Sequence, residues 1–230
     1  MQDREKIASL FPAGLVRRLS ASLDLHARDE SAIPSYTHWN PAIRWLMFRR
    51  LEHTRRMALA ALAREPEHGG AAVLDFGCGV GMLIPALGPR VETLYACDEQ
   101  LAPARATVAH FGARNVACVA PEELDARIPD ASLDVVTAAD VLEHVSDLPG
   151  LVALLARKLR PGGALIVSGP TESLAYRFGR FLAGFSGDYH VRSVFDVERD
   201  VAGGGFAREE LRQIPIVPRL FRITLWRRAR

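Results

Sequence analysis

The nine residues from Val73 to Gly81, VLDFGCGVG, constrain this chain more than any other stretch: a short apolar run ends in an acid and then three alternate glycines. Such a run suits the first strand of a parallel sheet that is covered on both faces. Glycines directly after it let the backbone turn sharply and approach a ligand closely. The stretch therefore predicts a buried strand that ends in a binding turn for a nucleotide-like molecule.

Spacing separates the two ligand classes that use such a turn. The dinucleotide fingerprint is G-x-G-x-x-G. Gly77, Gly79 and Gly81 give G-x-G-x-G instead, and Met82 stands where the last dinucleotide glycine belongs, which counts against NAD. Asp75 would repel a pyrophosphate but suits a ligand with ammonium and sulfonium charges, and S-adenosylmethionine carries both.

With Asp75, Gly77, Gly79 and Gly81 matching [DE]-x-G-x-G-x-G at every position, the chain resembles the class I S-adenosylmethionine-dependent methyltransferases. The ubiquinone-biosynthesis-like small-molecule enzymes are the type it resembles most. The resemblance implies an α/β, Rossmann-like fold: a seven-stranded, mostly parallel sheet with one antiparallel strand, here preceded by an N-terminal helical extension. It also implies S-adenosylmethionine as cofactor, with Asp75, Gly77, Cys78, Gly79 and Gly81 forming its loop.

Further landmarks follow in order. Val91 to Cys97 reads as a second strand ending at Asp98, one βα unit on, where an acid can accept both ribose hydroxyls. The resemblance gives Asp98 that role, with Glu99 beside it. After a helix from Ala102 to Phe111 and a third strand from Val116 to Ala120, the family places an acid that accepts from the adenine amino group. Counting from Asn115 gives Glu122, which can equally be a solvated loop charge.

The segment SLDVVTAADVLEHVSD matches the family's FDxVxxxxVLEHxxD, so Leu133 to Ala138 is the fourth strand and Asp140 stands near the methionine part of the donor. LRPGGALIVS is another landmark: a helix from Leu151 to Leu159, glycines that stop it, and a fifth strand from Ala164 to Ser168. The aromatic and arginine-rich stretch near residues 170–190 is expected to lid the acceptor pocket. A helix near Val194 to Val201 and two strands, Gln213 to Val217 and Arg219 to Trp226, close the chain.

Methyl transfer from a sulfonium is an in-line displacement, so the protein mainly aligns the acceptor and excludes water. If the acceptor is a hydroxyl, a histidine base is useful near neutrality. His144, in the VLEH segment, and His190, after the lid, are the candidates. Asp140-x-x-Glu143-His144 also resembles the acidic pair and histidine of metal-using quinone O-methyltransferases. The family usually has Glu at the first of these positions, and no metal is assigned.

A length of 230 residues allows one domain, taken as residues 66–230, with residues 1–65 as a helical cover for the substrate site. The net charge of +2 is too mild to imply nucleic acid, and no base-flipping NPPY-like motif is present. Cys78, Cys97 and Cys118 form no C-x-x-C and no even pairing scheme, which fits a reducing cytoplasm. No apolar run approaches the roughly 20 residues that a membrane span needs. The protein is expected to be soluble or at most peripheral.

Before the sheet, two helical pieces flank a break from Ser31 to Pro41. In the second, Ile43, Leu46, Met47, Leu51, Ala58, Ala61 and Leu62 recur at helical spacing, with Arg44, Arg49, Arg55 and Arg56 elsewhere. Trp45 and Phe48 are left over, and with the arginines they suit a membrane-surface or lipid contact. An amphipathic core helix with snorkelling arginines is the plainer reading.

The functional expectation is thus a methyltransferase for a small-molecule acceptor, by O-methylation of a lipophilic or aromatic metabolite. A non-catalytic S-adenosylmethionine-binding module and an NAD-dependent oxidoreductase are the competing readings. Erosion of the glycine loop or of Asp98 would mark the former, and neither is eroded.

Overall fold

The computed structural model describes residues 6–23, 33–64, 70–171, 173, 192–214 and 219–229. Seven strands form one sheet: β1 Ala72–Phe76, β2 Thr93–Cys97, β3 Val116–Val119, β4 Leu133–Ala139, β5 Leu159–Pro170, β6 Phe206–Ile214 and β7 Phe221–Arg228. Their order is β3-β2-β1-β4-β5-β7-β6. β7 is antiparallel to both its neighbours, and every other pairing is parallel, so the expected sheet is the observed one.

The chain leaves β1 toward β2 and β3, then returns to the other side of β1 at β4. Open α/β sheets bind ligands at such a reversal, outside the carboxyl ends of the strands. Here that point lies over β1 and β4.

Alternate residues of the central strands feed two hydrophobic cores. Val73, Val135 and Ile166 join one, together with the N-terminal helices α1 Ile7–Leu10, α2 Ala13–Leu19, α3 Ile33–Tyr36 and α4 Pro41–Ala63. Leu74, Val136 and Leu165 join the other, beneath α8 Leu148–Lys158 and α9 Val194–Gly203. Period-two burial on both faces is what the apolar strand sequences require. Between these lie α5 Ile84–Leu87, α6 Leu101–Phe111 and α7 Leu124–Arg127.

α4 begins at Asn40, whose side chain accepts from the Ala42 N–H at the cap, with Pro41 in the first turn. It packs against β4, β5 and β7. Its buried side includes Met47, Leu51, Ala58 and Ala61 as the spacing predicts, but also Arg50, Glu52 and Arg55. Arg55 is thereby corrected from the solvent face: it is sheltered because Glu52 accepts from its Nε and Nη2 at 3.2 and 2.6 Å.

Several boundaries differ from expectation, and the break expected from Ser31 to Pro41 contains the helical turn α3. The helix that the sequence starts over Met82 to Leu87 begins at Ile84 and is the single turn of α5, because Gly88 and Pro89 pass the chain into a 3-10 turn. α8 ends at Lys158, before the Pro-Gly-Gly run. Gly162, at φ +77°, lies inside β5, where the pairing with β4 shifts between Leu133 and Val135. The glycines therefore make an irregularity in the strand and do not stop a helix.

β6 starts at Phe206, seven residues earlier than expected, and residues 215–218 lie outside those described. Its charged sequence, FAREELRQI, hides a strand because it forms the sheet's edge, where charges discourage further pairing.

Candidate functional site

A cavity of about 610 Å³ opens at the switch point. Its walls come from the glycine loop, the ends of β2 and β4, the turn after β4, and the N-terminal helices through Ile33, Tyr36, Arg50 and Leu51.

The loop is fixed by β2. Gly77 and Cys78 N–H groups both donate to the Cys97 carbonyl, at 2.8 and 2.9 Å, and the Gly79 N–H donates to Asp98 Oδ2 at 2.8 Å. Asp98 Oδ1 accepts from Gln100 N–H at 3.0 Å. A carboxylate has about four lone-pair positions. One accepts from the glycine loop at Gly79 and another from Gln100 in the turn after β2, which leaves lone pairs for further donors.

All three loop glycines have left-handed φ, at +71°, +54° and +76°. Their surroundings differ. A Cβ on Gly77 would lie 2.4 Å from Val141 Cγ2, and one on Gly81 would lie 2.4 Å from Ile84 Cδ1. A Cβ on Gly79 would meet nothing within 4 Å. Gly77 and Gly81 are thus packing positions, whereas Gly79 leaves room for a ligand over the loop.

Asp75 lines the cavity floor at 3% exposure and accepts from Thr137 Oγ1 at 2.7 Å. Burial pushes its carboxyl up to about 7; the Thr137 bond opposes this and the Asp98 charge adds to it. The unfolded acid, near 3.8, releases its proton first, so stability falls as pH rises from that value to about 7. The full effect is of order 4 kcal/mol. Asp75→Asn keeps an acceptor for Thr137 and is expected to raise Tm at neutral pH and flatten its decline between those values. Thermal melts across pH test this; an unaltered decline would show that Asp75 does not titrate there.

Asp140 follows β4 at φ +54°, a conformation that Asp tolerates better than most residues. Its N–H donates to the Ser168 carbonyl at 2.9 Å, and its carboxylate accepts from Ser168 Oγ at 3.2 Å and pairs with Arg50. Arg50 is 1% exposed, donates to the Tyr36 hydroxyl at 2.8 Å and lies 5.3 Å from the Phe221 ring centroid. Burial raises the Tyr36 pKa against the opposing Arg50 charge. Sequence reasoning passed over Arg50. The available signal was its place in the apolar stripe, three residues after Met47 and four before Thr54.

The cavity thus brings together Asp75, Gly77, Cys78, Gly79, Asp98, Glu99, Asp140 and His144. Cys78 is a buried wall residue whose thiol pKa is pushed up, chiefly by burial. His144 is exposed at the end of the short 3-10 turn Leu142–His144. Gly81 stands behind the wall. Glu122 is exposed in the turn after β3, between the lining residues Pro121 and Leu124.

His190 and most of the expected lid, with Tyr176, Phe181, Phe185 and Tyr189, lie outside the described residues. Just beyond them Arg192 donates to the Val145 and Ser146 carbonyls, the second at 2.9 Å, which ties that end to the cavity wall. Among the described residues no three His, Cys, Asp or Glu side chains converge as a metal site. Asp140 faces Arg50, and Glu143 is buried.

The strand order, the switch-point cavity and the glycine loop together define a class I S-adenosylmethionine-dependent methyltransferase fold. A family model described as a methyltransferase domain matches residues 45–217, and the chain belongs to that family.

Ubiquinone biosynthesis O-methyltransferases are among its curated relatives. That of Idiomarina loihiensis is 38% identical over 103 residues, 43% of this chain and 42% of the relative. That of Cupriavidus pinatubonensis is 32% identical over 144 residues, 60% of this chain and 57% of the relative. The chain spans about half the length of the curated relatives it matches. Among solved structures, the magnesium protoporphyrin IX methyltransferase of Synechocystis PCC 6803 with bound SAH superposes with a TM-score of 0.62 at 19% identity, covering 93% of this chain and 92% of that one. The [4+2]-cyclase SpnF shares the fold at a TM-score of 0.57 and 17% identity, over 76% of this chain and 81% of that one.

Proposed function

We propose that the chain is an S-adenosylmethionine-dependent methyltransferase that O-methylates a small lipophilic or aromatic acceptor. The observation that carries this reading is the open space over Gly79 between two carboxylates, Asp98 at the end of β2 and buried Asp75 at the end of β1. When bound, the cofactor supplies a methyl group on a good leaving group, so the protein's work is alignment and exclusion of water.

Asp98 would hold the ribose hydroxyls with its remaining lone pairs, and Asp75 would face the ammonium end. Glu122, at the rim, is the acid within the loop suited to the adenine amino group. His144 is the base placed to take an acceptor hydroxyl's proton on an imidazole nitrogen, and His190 is the second candidate. Residues 1–65 would cover the acceptor, since Ile33, Tyr36 and Leu51 supply apolar wall. The names of the matched ubiquinone enzymes support a lipophilic aromatic acceptor over nucleic acid. Three free thiols, at Cys78, Cys97 and Cys118, fit a reducing cytoplasm. No helix among the described residues is long and apolar enough to cross a membrane.

Calorimetric titration with S-adenosylmethionine, S-adenosylhomocysteine and NAD tests the reading. Binding of the first two at micromolar concentration, strengthening as Asp75 ionises above about pH 7, and none of NAD is expected. Tight NAD binding, or no binding at all, would overturn it. Turnover of phenolic and catechol acceptors then separates an enzyme from a non-catalytic module.

A further inference from the structure

We propose that the exposed stripe of α4 from Trp45 to Arg56, with Trp39 just before the helix, is a docking face for an anionic phospholipid surface, with Trp39 and Trp45 seated among the headgroups and Arg49 and Arg56 facing lipid phosphates. The inference does not rest on methyl transfer.

Trp39 is 82% exposed and Trp45 is 58% exposed, while the third tryptophan, Trp226, is buried at 4%. Folded surfaces give little reason to leave indole rings in water. An indole has an apolar body and a polar N–H, and it is enriched at the level of lipid headgroups for that reason.

The placement of charge selects the kind of surface. Trp45, Arg49 and Arg56 follow one another four and seven residues apart, on one stripe of the helix. Glu52, on the same stripe, pairs with Arg55 at 2.6 Å and with Arg56 at 3.2 Å, and one carboxylate against Arg49, Arg55 and Arg56 leaves the stripe net positive. Arg44 and Arg17 are held beside the tryptophans by bonds to the carbonyls of Trp39 and Thr37, both at 3.2 Å. The neighbouring His53 has its pKa lowered by burial and by Arg49, Arg56 and Arg212 together, with Glu52 opposing, which reports a positive local potential.

An exposed helix face with interfacial aromatics and a basic stripe fits an anionic bilayer, each arginine adding roughly fivefold in affinity. The opposite side of the same helical turns contributes Arg50 and Leu51 to the cavity, so docking would bring a lipophilic acceptor's source next to the site.

The test uses the full chain with phosphatidylcholine vesicles, with or without phosphatidylglycerol, read by flotation and by tryptophan emission. Expected are salt-sensitive binding to the anionic vesicles, a blue shift, and quenching by brominated lipid. Trp39→Ala/Trp45→Ala should weaken binding by roughly tenfold or more and remove the shift, leaving only buried Trp226. Arg49→Glu/Arg56→Glu should abolish the preference for phosphatidylglycerol. Both variants should melt cooperatively and bind S-adenosylhomocysteine as the parent does. No association with anionic vesicles, equal association by the tryptophan variant, or displacement of the protein from vesicles by a single-stranded oligonucleotide would overturn the proposal.

Discussion

Gly79→Arg is expected to lower S-adenosylhomocysteine affinity by at least about 100-fold while leaving the fold intact. The backbone at Gly79 is left-handed, so any side chain costs about 1–2 kcal/mol there. That is a tolerable fraction of a domain's stability. Space is not the obstacle, because a Cβ meets nothing within 4 Å. An arginine placed there fills the volume above the loop and puts its own cation beside Asp75 and Asp98, competing for the charges assigned to the donor. Gly77→Ala is the contrasting variant. Its Cβ would lie 2.4 Å from Val141, so it should lose stability first and binding only as a consequence. Paired calorimetry and thermal melts separate the two. Undiminished affinity in Gly79→Arg would show that the donor does not lie over this loop.

Arg50→Met should be the most destabilising single change at the site, by about 3 kcal/mol, or roughly 6–12 °C in Tm for a chain of this length. Three contacts are lost together: the ion pair with Asp140, the bond to the Tyr36 hydroxyl and the approach to the Phe221 ring. Removing one member of a buried pair leaves the other charge without compensation. Asp140 keeps 16% side-chain exposure at the cavity wall, so rehydration holds the cost at the low end of the usual range. Adding Asp140→Asn to Arg50→Met should recover part of the loss, since the stranded charge is then gone. Equal melting of the single and double variants would show that the pair is not coupled. The arrangement also ties the N-terminal helices to the sheet: Tyr36 on α3, Arg50 on α4 and Asp140 after β4 meet in one polar contact inside the cavity.

What was legible in the sequence were features written in local chemistry. VLDFGCGVG placed β1 and its loop because a buried strand and left-handed glycines are both short-range requirements. Asp98 and Asp140 reached the cavity because each directly follows a strand, and His144 because it sits in the short turn after β4; parallel strands put their carboxyl ends on one edge. The misread features were those whose patterns depend on a partner. Edge strand β6 was expected only from Gln213 onward because only its position at the rim makes the charge of its earlier residues acceptable. The Pro-Gly-Gly run looked like a helix stop because the irregular pairing between β4 and β5 is visible only when both strands are present.

The sequence by itself determined the sheet's core, the donor-type loop and the carboxylates around it, since periodicity and glycine spacing act within a few residues. Tertiary structure alone decided that Gly79 faces open space while Gly77 and Gly81 are packed. It also decided that Arg50 is buried against Asp140 and that Trp39 and Trp45 are left in solvent. Each of these depends on which atoms of distant segments arrive at the same place, and no local pattern encodes that.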